Sequence, residues 1–135
     1  MRRHLVEHAA KGGHEVLGED GPAAAEEKTD YPDVAAAVTA KVLANPGSFG
    51  VLVCGSGQGM AMAANHVRGI RAGLCENEYS ARMIRRHNDA NVLCLGARVI
   101  GIDLATSIFD AFAEASFEGG RHARRVAKID GIADS

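Results

Sequence analysis

The stretch VLVCGSGQGMAMAAN, Val51 to Asn65, joins a thiol to a run of backbone donors. An apolar segment ends at Cys54; Gly55, Gly57 and Gly59 then alternate with Ser56 and Gln58, and an Ala/Met-rich segment follows. Glycines between a strand end and a helix start let several amide N–H groups point at one spot, where the helix dipole also favours negative charge. An anion or a developing oxyanion is the natural occupant. The spacing is not that of a Walker loop, since no Gly-Lys-Ser/Thr follows, and GxGxG is not the dinucleotide fingerprint GxGxxG. By local pattern alone a tight strand-to-helix turn explains it equally well. Cys54 has two readings as well. Free cysteines are mostly small buried hydrophobes, which describes Cys75 and Cys94 within their apolar strands. At a helix N-terminus a thiol pKa falls, so Cys54 could instead serve as a base or a nucleophile.

The surrounding elements must position that loop. Arg2 to Lys11 reads as a short helix stopped by Gly12-Gly13, and His14 to Leu17 as a short strand. After a polar loop, Asp30 can cap a helix with Pro32 in its first turn. Val34, Val38, Val42 and Leu43 give that helix one apolar face, and Asn45-Pro46-Gly47 ends it. Phe49 to Cys54 is a continuous apolar strand of the kind buried on both faces. Gly59 to Val67 reads as helix, Ile70 to Cys75 as strand, Tyr79 to Asn88 as helix and Asn91 to Leu95 as another apolar strand. Leu104 to Ser116 and Arg121 to Ile129 complete the series as helices. The alternation predicts an α/β fold, a doubly wound parallel sheet with helices on both faces, as one domain over residues 1–135. Ligands of such folds sit outside the carboxyl ends of the strands, where Cys54, Cys75 and Gly96 fall.

Composition narrows the partners. A net charge of -2 with 24% charged residues gives no reason to expect nucleic acid or an anionic membrane surface. No apolar run approaches the roughly 18 residues of a membrane span. The start, MRRHLVEHAAKGGHE, is charged throughout and lacks the apolar core of a signal peptide. The three cysteines form no CxxC pair, which suits reduced thiols in a cytoplasmic protein.

Four separated motifs resemble, in order and spacing, the type B ribose-5-phosphate isomerase family. They are TDYPD (Thr29 to Asp33), CGSGQGMAMAAN, RRHNDANVLCLGARVIG (Arg85 to Gly101) and FEGGRHARRV (Phe117 to Val126). That family also holds galactose-6-phosphate and allose-6-phosphate isomerases. The resemblance implies a homodimer or dimer of dimers whose active site is built from both subunits. It also implies aldose–ketose interconversion of a small-molecule sugar phosphate through an enediolate, with no metal and no organic cofactor. Ribose 5-phosphate and ribulose 5-phosphate are the leading pair.

Carried over residue by residue, Cys54 matches the base of the cysteine-type members, and Gly55, Ser56, Gly57, Gln58 and Gly59 match the loop around the enediolate. Some relatives place a glutamate base at the position of Met60; methionine cannot take a proton, so Cys54 is the consistent base here. His87 matches the histidine that opens the furanose ring, and Asn88 can bind sugar hydroxyls. Arg98, Arg121 and Arg125 match substrate-binding positions, the last two chiefly for phosphate, which guanidinium suits by paired donors and permanent charge. Tyr31 matches a pocket tyrosine. Read without the resemblance, these residues keep other roles: His87 in a basic turn, Arg121 and Arg125 on a solvated basic helix, Tyr31 as a staple before Pro32.

Family members open with a strand and an Asp-His-Ala-Gly loop, whereas MRRHLVEHAAKGGHEV aligns with the later turns of the first helix and the second strand. Two expectations compete: the natural protein is longer than this chain, which is favoured, or this is a shortened member whose sheet is repaired by rearrangement or a partner chain. Two other classes of function compete with the isomerase. One is a non-catalytic or partner-dependent sugar-phosphate-binding subunit. The other is a cysteine hydrolase or thiol transferase, which leaves the arginines without a use. Which four- to six-carbon sugar phosphate fits depends on a few pocket side chains.

Overall fold

Continuous apolar runs without polar alternation are stable only where both faces of a strand are covered, and two such runs form the centre of the chain. In the computed structural model, which describes residues 1–22 and 29–134, they are β1 (Gly50–Cys54) and β3 (Val92–Gly96). With β2 (Ala72–Leu74) they make a parallel sheet in the order β1-β3-β2. The central strand β3 is buried along its whole length. Its side chains alternate between two cores. Val92 and Cys94 join Leu52, Met60, Ala35 and Val42 under α2 (Tyr31–Ala44) and α3 (Gln58–Asn65). Leu93 and Leu95 join Leu5, Ile108, Phe109 and Phe112 under α1 (Arg2–Lys11), α4 (Glu78–Asn88) and α5 (Ile102–Glu114). The doubly wound architecture predicted above is what forms. Phe112, 1% exposed, is the largest fully buried side chain, and its truncation to alanine would cost about 3–5 kcal/mol.

The last helix, α6 (Arg121–Gly131), packs on α4. The ends of α4 are tied firmly. Asn77 accepts a hydrogen bond from the Ser80 amide at 2.8 Å as its N-cap, and Asp89 closes it in the left-handed conformation at φ 49°. Asp30 does stand at the N-cap of α2, yet its side chain makes no capping hydrogen bond.

One expected strand does not form. Residues His14 to Leu17 carry no ladder, because a strand exists only by pairing and none of the described strands lies beside them. Val16 and Leu17 stay 41% and 48% exposed. Between this segment and the unpaired edge of β1 runs a cleft of about 610 Å³, walled by Val38, Val51, Val53 and Phe109. The expected polar loop after Leu17 is partly outside the described residues, at 23–28. Its first part is tied to the body by Arg2, which meets Glu19 at 3.0 Å, and by Lys41, which meets Asp20 at 2.8 Å. Among the described residues no helix is long and apolar enough to cross a membrane.

Candidate active site

β1 ends at Cys54, and the chain turns at once into α3. The turn depends on Gly57, held at φ +79°, a region that L side chains rarely adopt. A Cβ there would also meet the Leu74 side chain at 2.5 Å and the Leu95 carbonyl group at 3.0 Å. The result is that the Gly57 N–H donates to the Cys54 Sγ at 3.2 Å. The Gln58 N–H donates to the Ser56 hydroxyl at 3.2 Å. Tyr31 packs against the start of α3, so close that a Cβ on Gly59 would be 2.5 Å from its ring. The Arg98 side chain lies over Gly55 at 3.5 Å from the corresponding position. Cys54, residues 55–59, Tyr31 and Arg98 thus form one group at the carboxyl end of the sheet. Cys54 is half-buried, whereas Cys75 and Cys94 are fully buried. Burial pushes the Cys75 thiol up to about 11. It pushes Cys94 up to about 12, with the neighbouring Cys54 and Cys75 sulfurs adding to the effect. Of the three thiols only Cys54 is partly exposed.

The remaining candidates gather elsewhere. α4 leaves the carboxyl end of β2 and runs back, so that Asn88 precedes the start of β3. There Arg71, immediately before β2, donates to the Asn88 carbonyl at 3.1 Å, and the Gly50 amide at the start of β1 donates to the Asn91 carbonyl at 2.9 Å. His87 and Asn88 therefore lie at the amino end of the sheet, a strand length of roughly 15 Å from Cys54. Arg121 and Arg125 sit exposed on the first turns of α6, which packs against α4.

Two residues that sequence reasoning passed over complete this second group. The Glu118 amide donates to the Arg86 carbonyl at 3.0 Å, which seats Glu118 beside the end of α4. Its Oε1 lies 3.8 Å from the Nε2 of His87 and 3.8 Å from the Nε2 of His122. The two imidazoles stack, with centroids 4.2 Å apart and planes 9° from parallel. Burial lowers the His122 pKa first, and the charges of His87, Arg121 and Arg125 lower it further against the opposing pull of Glu118. The string EGGRH held the only available signal. It spaces a carboxylate and an imidazole four apart, but across two glycines rather than along a helix.

Known proteins are similar to this chain over most of its length. The ribose/galactose isomerase family profile matches residues 1–129. Ribose-5-phosphate isomerase B of Escherichia coli is 43% identical over 132 residues, covering 98% of this chain and 87% of that protein. D-erythrulose-4-phosphate isomerase of Pectobacterium atrosepticum is 48% identical over 99 residues, covering 73% of this chain and 65% of that protein. Among solved structures, ribose-5-phosphate isomerase B of Mycoplasma genitalium with bound ribulose-5-phosphate superposes with a TM-score of 0.92 at 40% identity, over 98% of this chain and 88% of that one. The chain belongs to the ribose/galactose isomerase family and is an enzyme of the aldose–ketose isomerase class.

Proposed function

We propose that the chain interconverts ribose 5-phosphate and ribulose 5-phosphate as a homodimer. Cys54 is the base that takes the proton from C2 of the open-chain aldose and returns it to C1, by way of an enediolate. The amides of residues 55–59 surround the enediolate oxygens, as preorganised donors do for developing charge. Arg98 reaches the substrate from over Gly55, and Tyr31 closes the pocket wall at Gly59. His87 opens the furanose ring, Asn88 binds sugar hydroxyls, and Arg121 with Arg125 clamps the phosphate. The observation that carries this reading is the amide of Gly57 aimed at the sulfur of Cys54, in a turn only glycine permits. A donor so placed suits a sulfur that carries negative charge. The placement of Cys54 and His87 at opposite ends of one sheet supports the homodimer, since a single site holding both would need a second copy.

The decisive experiment follows the isomerisation of ribose 5-phosphate by the parent chain and by Cys54→Ala. Loss of the base should cost about 10²–10⁴-fold in turnover while sugar-phosphate binding, read by calorimetry, survives. A Cys54→Ala chain that turns over at the parent rate rules the mechanism out. A panel of four- to six-carbon sugar phosphates ranks the substrates by kcat/KM.

A second reading is a sugar-phosphate-binding subunit that acts only with a partner chain. It is favoured by the unpaired edge of β1 beside the 610 Å³ cleft, since β1 is the strand that carries Cys54. It predicts binding without turnover by this chain alone at any concentration.

A further inference from the structure

The geometry points to Glu118 and His122 as positioning residues for His87: the His122 ring fixes the plane of the His87 imidazole, and the Glu118 carboxylate holds one proton on the stacked pair. This rests on the isomerase reading above and extends it to ring opening. Three observations carry it. The rings are stacked at 4.2 Å and 9°, which leaves His87 little rotation about its own axis. The carboxylate oxygen stands equally far, 3.8 Å, from both Nε2 atoms and so favours a cation on either ring without choosing between them. The His122 side chain is only 12% exposed, so its role is against His87 rather than in solvent.

The charged groups around the pair argue for a single proton. From α4 come His87 itself and Arg86, which lies 4.0 Å from Glu118; from α6 come Arg121 and Arg125; from the connecting segment comes Glu118 alone. Two imidazolium ions stacked face to face among three guanidinium groups and one carboxylate repel strongly, whereas one is balanced by Glu118. The depressed His122 pKa agrees with that count. Metal ligation is the other use of such a trio, whose ligand atoms lie within 4.8 Å of one another. Nearly parallel rings, however, direct their lone pairs side by side, while a zinc ion needs nitrogens about 2.0–2.1 Å away and converging on it.

Ring opening needs a group of this kind. The C1–O4 bond of the furanose breaks and C1–O1 becomes a carbonyl; one proton is delivered to O4 and one is removed from O1, so no net proton is consumed. His87 must therefore give a proton and take one back at the same catalytic pH, from a fixed orientation. His122 and Glu118 supply the orientation and the balance of charge without touching the sugar.

The test separates ring opening from proton transfer at carbon. Ribose 5-phosphate is cyclic and must be opened, but ribulose 5-phosphate, with its 5-hydroxyl blocked, is already open. Glu118→Gln and His122→Asn are compared with the parent in two assays: conversion of ribose 5-phosphate, and wash-in of solvent deuterium into ribulose 5-phosphate followed by NMR. The aldose reaction should fall about 10–100-fold in kcat, with KM little changed, while deuterium wash-in stays within about twofold. Glu118→Asp should recover most of the loss. Glu118→Gln should also change the pH dependence of the aldose direction while leaving that of wash-in unchanged, since the carboxylate faces both Nε2 atoms. Retained wash-in shows that each variant is folded and dimeric. Equal losses in both assays, or none in either, overturn the proposal. No wash-in by the parent chain would instead overturn the isomerase reading beneath it.

Discussion

The Cys54 end and the His87 end of the sheet are built from different materials. At the first, almost every functional atom belongs to the backbone or leans directly on it. A left-handed glycine aims an amide at a sulfur, a tyrosine ring fills the space a Cβ would need, and an arginine lies across the peptide of Gly55. At the second, the functional atoms are the tips of side chains on the last turn of one helix and the first turns of another. They are held by a ring stack and by ion pairs of 3.8–4.0 Å, with Glu118 48% exposed. On the proposed mechanism, the contrast follows the demands of two tasks. Moving a proton between adjacent carbons needs donors fixed to fractions of an ångström, and a backbone turn set by a left-handed glycine supplies that. Holding a phosphate and opening a ring needs mobile charge and a proton carrier, and these work at a water-facing surface. In the proposed homodimer, a rigid half and an adaptable half at opposite ends of one chain become one site when a second copy brings its adaptable half to the first copy's rigid one.

The largest effect should come from separating the halves. Cys54→Ala and His87→Asn homodimers should each lose about 10²–10⁴-fold in ribose 5-phosphate turnover. In dimers formed by co-refolding the two variants at equal amounts, half the molecules are mixed, and each mixed dimer carries one site with both residues intact. Activity should therefore return to about a quarter of the parent value. Recovery no greater than the sum of the two variants would mean that both residues act within one chain.

Altering the rigid half should come next in size. Gly57→Ala forces a side chain into φ +79° and onto Leu74 and the Leu95 carbonyl group. The expected cost is about 1–3 kcal/mol of stability, seen as a lower urea midpoint, together with a fall in kcat as the amide leaves the sulfur. An unchanged midpoint and unchanged kcat would show that the turn is looser than its contacts imply. In the adaptable half, Arg125→Ala should act differently. A lost charge-assisted pair to phosphate corresponds to roughly tenfold to a hundredfold in KM, with kcat nearly kept and the folded state unaffected. A fall in kcat at constant KM would place Arg125 in the chemistry rather than the clamp.

This asymmetry also explains how much was legible in the amino-acid sequence. The parallel sheet and its covering helices could be read because the apolar runs ending at Cys54 and Leu95 have only one stable environment, and glycine punctuation marks where they stop. The Cys54 loop could be located for the same reason, since a strand end followed by alternating glycines constrains the backbone directly. His14 to Leu17 was misread because a strand is a property of a pair, and a short segment ending in Val16-Leu17 does not say whether a partner lies alongside. Asp30 marked its helix start correctly without bonding to it, the backbone turn being sufficient there. Glu118 and His122 were passed over because their meeting depends on Gly119 and Gly120, both at positive φ, folding the segment back onto α4. The opposite placement of Cys54 and His87 was equally hidden, for it depends on the direction in which α4 returns across the sheet.

The smallest effect on turnover should come from the two thiols that the rigid half buries. Cys75 and Cys94 titrate near 11 and 12 in the folded chain, above the ordinary 9.0, because burial disfavours the thiolate. Folded protein therefore keeps protons that unfolded protein has already released above about pH 9. Their contribution to stability is complete below that value and declines as pH rises from there toward 11 and 12. The urea midpoint should fall between pH 8.5 and 10.5, and less steeply in Cys94→Ala, which removes one of the two groups. At pH 8, iodoacetamide should label Cys54 alone, with mass spectrometry assigning the site, and labelling should stop turnover. Sugar phosphate should slow that labelling if the proposed site holds, since the glycine loop bonds directly to the thiol. Labelling of Cys94 ahead of Cys54 would show that the rigid half opens on the timescale of the reaction, and the contrast between the two ends would then be one of composition rather than of rigidity.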